Sequence, residues 1–204
     1  MKEKILEIYT DASGDNKNGL GILFINPDET ERQYSYKTNK QMFYELIQNK
    51  HRTPDNVKIN TIQLEMMAIF VAIKELKTYS RTFDRIILYS DNLPCINYLN
   101  KQKNKKNGKK IKNSVIELSN VIKRLLLEDG INVEFRWIKS HCGVYGNEIA
   151  DRLARVGSKS KIFFNKNIFQ YHHIYKLLFE NKTVVWRKAI NSKIVNQEFE
   201  TVYI

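Results

Sequence analysis

From Met66 to Ile73 every residue is apolar, and Leu64 and Leu76 extend the pattern at helical spacing. A helix that is apolar almost all round has no face to offer to water, so it is expected to be buried and the other elements must pack around it. One residue breaks the run: Glu65 sits among these side chains with no basic partner in reach, since Lys74 and Lys77 lie too far along the helix. An ionised carboxylate in such surroundings is costly unless it is paired or bound to a metal. The same segment therefore constrains both the fold and the chemistry.

The remaining elements follow from periodicity. Ile5 to Asp11 reads as a strand with Leu6 and Ile8 on one face and Glu7 and Tyr9 on the other. Gly21 to Ile25 is a second strand, and after an Asn26-Pro27-Asp28 turn a third runs through Tyr34 and Tyr36. Met42, Phe43, Leu46 and Ile47 have the spacing of a short helix, and Arg52 to Asn56 is rich in turn formers. Beyond the buried helix, Arg85 to Ser90 has the continuous apolar character of a parallel strand covered on both faces. Pro94 suits the first turn of the next helix. Val115, Leu118, Ile122 and Leu125 trace another helix that ends at Gly130, and Val133, Phe135 and Trp137 alternate as a fifth strand. Ala150, Leu153 and Ala154 form one stripe of a last helix over about Asn147 to Gly157. This order predicts an α/β fold: a mixed five-stranded sheet, three antiparallel strands and then two parallel, flanked by helices.

The expected division is a catalytic domain over residues 1–157 and a helical, aromatic extension over 158–204. In the extension Ile168, Tyr171, Tyr175 and Phe179 are helically spaced, and a second helix is expected from Val184 to Ile190. Phe163, Phe164, Phe169 and Trp186 are expected to cap the domain, the commonest fate of such aromatics.

Composition bounds the partners. The formal net charge of +12 favours a polyanion. Seven lysines and no acid lie between Lys101 and Lys112, a run that includes Lys103, Lys105, Lys106, Lys109 and Lys110. The bland reading is a solvated loop, but in a chain already this basic the run is expected to hold phosphates without regard to sequence. No apolar run approaches the length of a membrane span, and the first residues lead directly into a strand rather than a signal sequence. Cys95 and Cys142 form no CxxC pair, which points to a reducing intracellular compartment, cytoplasm or nucleus. His141, Cys142, His172 and His173 fit no usual zinc spacing, so zinc is not expected.

Three more acids join Glu65. Asp11 stands at the end of the first strand, Asp91 at the end of the fourth, and Asp151 within the last helix. Taken singly, Asp11 reads as a turn former, Asp91 as a helix start and Asp151 as a partner for Arg155 four residues on. Together they gain force, because sites in α/β sheets form where the parallel strands end. Converging acids are what Mg²⁺ or Mn²⁺ asks of a protein.

These residues carry a resemblance. Trp137-Ile138-Lys139-Ser140-His141-Cys142-Gly143-Val144-Tyr145-Gly146-Asn147-Glu148-Ile149-Ala150-Asp151-Arg152-Leu153-Ala154 resembles the histidine loop and last catalytic helix of type I ribonucleases H. Tyr9-Thr10-Asp11, Glu65 to Ile69 and Tyr89-Ser90-Asp91 match the same family in order. The resemblance spans residues 5 to 157 and is greatest to the form carried by non-long-terminal-repeat retroelements. It implies hydrolysis of the RNA strand of RNA–DNA hybrids by two Mg²⁺ ions, with Mn²⁺ as a substitute. Asp11 is then shared by both ions, with Glu65 and Asp91 completing one site and Asp151 the other. It gives His141 a role in proton transfer or product release. Glu148 either assists there or pairs with Arg152.

The sequence departs from the cellular enzymes at three places. Thr61 and Ile62 replace two asparagines before the catalytic glutamate, Asn92-Leu93 replaces a polar pair after the third acid, and the first loop is shortened to Ser13 through Gly19. Ser13, Asn16, Thr61 and Asn92 are the residues expected at the nucleic acid, together with the lysine run. The expected state is a monomer away from membranes, with a polymerase or reverse transcriptase as a partner. The rival readings are a catalytically weak nucleic-acid-binding module of a larger assembly, and a related nuclease acting on DNA or structured RNA.

Overall fold

A computed structural model describes residues 3–14, 18–47, 59–79, 82–100 and 113–160. The lysine run, Asn16, the Arg52 to Asn56 turn and residues 161–204 of the aromatic extension lie outside the described residues. The described elements are β1 (Ile5–Ser13), β2 (Asn18–Ile25), β3 (Glu31–Thr38), α1 (Lys40–Leu46), α2 (Thr61–Leu76), β4 (Arg85–Ser90), α3 (Leu93–Leu99), α4 (Asn113–Glu128), β5 (Glu134–Trp137) and α5 (Tyr145–Lys159). The sheet order is β3-β2-β1-β4-β5. Strands β1, β2 and β3 pair antiparallel, while β4 runs parallel to both β1 and β5. The expected architecture is the observed one.

Helix α2 is buried as its composition requires, with Met66 through Ile73 almost inaccessible. It packs on β1 and β2 and against α4. Each such large apolar side chain contributes about 1.5–3 kcal/mol relative to exposure, so this helix is the principal apolar anchor of the domain. It starts three residues before the expected Leu64, because Asn60 and Gln63 form a reciprocal capping box. Leu6 and Ile8 of β1 face this core, whereas Tyr9 joins Leu23, Ile149, Ala150 and Leu153 in a smaller cluster on the other side of the sheet. In α4 the most buried stripe is Val115, Leu118, Ile122 and Leu126.

Strands β1 and β2 are both longer than periodicity predicts. Their antiparallel ladder continues to the Ser13–Gly19 pair, past Asp11, which lies opposite Gly21. The glycines are there for α5. A Cβ on Gly19 or Gly21 would stand 2.0 Å from the carbonyl oxygens of Ala154 or Ala150 respectively, and one on Gly157 would meet the Tyr36 backbone. Helix backbone and sheet backbone therefore touch directly, and α5 is held flush across β2 and β1. Among the described residues no helix is long and apolar enough to cross a membrane.

Candidate active site

Three acids meet beside the C-terminal halves of the neighbouring interior strands β1 and β4. The parallel register pairs Thr10 of β1 with Ser90 of β4, so the residues that follow stand side by side: Asp11, still within β1, and Asp91, just past the end of β4. Glu65 comes down from the first turns of α2, which lies across β1. A carboxylate oxygen of each falls within 4.8 Å of the others. Asp11 and Glu65 are buried and Asp91 is half-buried.

Like charges this close, with so little water, resist ionisation together. Burial pushes the Asp11 carboxyl up to about 7, reinforced by the charges of Asp91 and Asp151, while a hydrogen bond with the Ala12 backbone pulls the other way. Glu65 is held well above the usual carboxylate range by burial first and then by Asp11 and Asp91. The two acids share a hydrogen bond, so one proton between them relieves part of the repulsion. The second oxygen of Glu65, Oε2, is buried without any hydrogen-bond partner. A buried carboxylate oxygen left without a donor is costly in a protein that has nothing else to satisfy it. Hard oxygen donors, one of them orphaned, in a space a few ångströms wide match what a divalent hard cation takes from a protein.

Asp151 lies across this trio on α5, close enough for its charge to raise Asp11. Its carboxylate and a ligand atom of His141 and of Glu148 also fall within 4.8 Å of one another. Both readings of Asp151 are present at once, because Arg155 forks it with contacts of 3.0 and 2.6 Å. Glu148 lies with His141 and Asp151. His141 stands exposed between β5 and α5, at a φ of 52°, the left-handed region that ordinary residues avoid. Gly143 takes φ 74° two residues on, and the two positive angles make the tight turn that lifts the imidazole to the rim.

The remaining predicted contacts divide. Ser13 ends β1 and is partly exposed, and Thr61 is exposed as the first residue of α2. Asn92 serves as the N-cap of α3, its side-chain oxygen accepting from the Cys95 backbone N–H at 3.2 Å. Periodicity had no means of showing this cap. It also missed a link to Asp91: the indole N–H of Trp137 donates to the Asp91 carbonyl at 2.9 Å.

Comparison with known proteins agrees with this fold. A family model described as RNase H matches residues 3–159. Human Ribonuclease H1 is 34% identical over 99 residues, 47% of this chain, and the match spans only 34% of that protein's length. The solved structure of RNase H1 from the halophilic archaeon Halobacterium salinarum NRC-1 superposes with a TM-score of 0.54 at 14% identity, covering 76% of this chain and 98% of its own. LC11-RNase H1, solved in complex with an RNA/DNA hybrid, gives 0.52 at 12% identity over 72% of this chain and 94% of its own. A foamy viral protease-reverse transcriptase in complex with dsDNA gives 0.50 at 19% identity, over 76% and 94%. At these identities the structures speak to the fold.

Proposed function

The chain belongs to the RNase H family, and from that premise we propose that it is a metal-dependent endonuclease hydrolysing the RNA strand of RNA–DNA hybrids. The observation that carries the reading is the buried trio of Asp11, Glu65 and Asp91 with its orphaned Glu65 oxygen. Asp11, Glu65 and Asp91 would hold one Mg²⁺, and Asp11 with Asp151 a second. Bound there, the pair of ions supplies an activated water and stabilises the departing 3′-oxygen.

The chain's own residues do the rest. The ladder of β1 and β4 holds Asp11 and Asp91 in register, so the acids need no rearrangement to act together. Asp151 and Glu148 each bring a carboxylate oxygen within 4.8 Å of a His141 ring nitrogen. His141, exposed between β5 and α5, would serve proton transfer or product release there. Ser13, partly exposed, Thr61, exposed, and Asn92 would meet the hybrid. The lysine run would hold the phosphates. The unpaired thiols of Cys95 and Cys142 suit a reducing compartment. A retroelement-type affiliation, a monomeric state and association with a polymerase or reverse transcriptase belong to the same proposal.

The test is a cleavage assay on RNA–DNA, RNA–RNA, DNA–DNA and single-stranded substrates with Mg²⁺ or Mn²⁺. RNA strands in hybrids should be cut by the wild type and not by Asp11→Asn, which should still bind the hybrid. Equal cutting by the mutant would overturn the assignment of Asp11. The Arg155 fork on Asp151 favours one second reading, a weakly catalytic binding module. Tight hybrid binding without cleavage in either metal would establish that reading instead.

A further inference from the structure

The backbone that carries Asp91 is pinned from one side by β5. The β4–β5 ladder pairs Ser90 with Trp137, and the Ile138 N–H donates to the Ser90 carbonyl at 3.1 Å. There the regular ladder stops, because Asp91 lies past the end of β4. The next carbonyl, that of Asp91 itself, is taken by the Trp137 indole N–H at 2.9 Å. On the far side, the Asn92 N–H donates to Ser90 Oγ at 3.2 Å, and the Asn92 side chain caps α3. The Asp91 peptide is thus held at both ends, and the Trp137 bond is the one that fixes its own carbonyl. Together these bonds hold the Asp91 main chain where it leaves the ladder, and with it the Cα from which the carboxylate reaches toward Asp11 and Glu65.

Trp137 has little other reason to be a tryptophan. Its side chain is 47% exposed, so it is not a filler of the core. Tryptophan buries a large apolar body when packing is its purpose, and its single polar atom otherwise seeks a partner. Here the body is left half in water while the N–H is used.

We infer that Trp137 is a positioning residue for Asp91, its indole N–H setting the carboxylate in the place where the acid trio takes up a divalent cation. The inference deepens the metal-dependent reading above and rests on it. A single hydrogen bond of this kind, removed without other change, corresponds to about a three- to tenfold change in an equilibrium constant.

The experiment measures Mn²⁺ binding to the metal-free full-length chain by titration calorimetry, for the wild type, Trp137→Phe, Asp91→Asn and a chain with benzothienylalanine at position 137. The last keeps the shape of tryptophan and lacks only the N–H, so it decides the matter even where Trp137→Phe folds poorly. Thermal melting and the KM for a hybrid are followed in parallel. The expected result is Mn²⁺ binding about three- to tenfold weaker in both Trp137 variants, with melting of the isostere and the hybrid KM unchanged. Cleavage should recover as Mn²⁺ is raised. Unaltered Mn²⁺ affinity, with or without a lower melting temperature, overturns the inference and leaves Trp137 a packing residue. Equal affinity in Asp91→Asn and the wild type overturns the metal reading itself, and the inference falls with it.

Discussion

Asp11 and Glu65 are acids that the fold holds against their own ionisation, and this makes the metal-free protein sensitive to alkali. Asp11 has its carboxyl at about 7 in the folded chain, against an ordinary value near 4 when unfolded. The folded state therefore binds the proton more tightly, and its share of stability is complete below pH ~4 and lost as pH rises through about 7. Glu65 shifts in the same direction. In EDTA the melting temperature should fall from pH 5 to pH 8, and Asp11→Asn should flatten the fall. Mg²⁺ should raise the melting temperature more at pH 8 than at pH 5.5, since it binds the deprotonated acids; an equal rise at both would contradict the site. Glu75 offers a comparison away from the site. Burial brings it to about 7, while its Oε1 accepts from the Tyr36 hydroxyl at 2.7 Å. Glu75→Gln keeps that acceptor and removes the charge, so it should stabilise by about 1 kcal/mol at pH 8 and by little at pH 5, as read from urea denaturation.

Elements are placed by small residues as much as by large ones. Helix α5 brings Asp151 to Asp11 only because Gly19 and Gly21 let it sit on the sheet backbone. Gly21→Ala would drive a methyl group into the Ala150 carbonyl, costing about 3 kcal/mol by overpacking. It should also lower cleavage more than its loss of stability explains, because Asp151 moves with the helix; activity measured well below the melting temperature checks this. In sequence Gly19 reads as the end of a loop, and so the second strand was expected only from Gly21. The early start of α2 escaped for a related reason. Asn60 and Gln63 are polar residues before an apolar run, and only their reciprocal hydrogen bonds mark them as part of the helix. The apolar body of α2, the bounds of β4 and the end of α4 at Gly130 were legible, since each rests on neighbours in sequence. Leu126 rather than Leu125 completes the buried stripe of α4, Leu125 being only partly buried against the same core.

For the whole molecule, the described core closes within residues 3–160. A chain ending at residue 160 should therefore fold cooperatively and retain Mg²⁺-dependent cleavage, measured by melting and by a hybrid assay. Loss of folding would assign the extension a structural part. Replacing Lys103, Lys105, Lys106 and Lys109 by glutamine should weaken hybrid binding and make the slope of log affinity against log salt shallower by up to about 3; an unchanged slope would leave the run a solvated loop. The order of strands and helices, the basic balance and the identity of the four acids were all written in the chain, because periodicity and residue chemistry are local properties. What only the tertiary structure decided is how those acids stand to one another: that three share one buried space, and that Trp137 reaches Asp91 across 46 residues. The first depends on the parallel register of β1 and β4, the second on that of β4 and β5. A slip of one residue would turn Asp91 to the opposite face of the sheet without altering a single local preference.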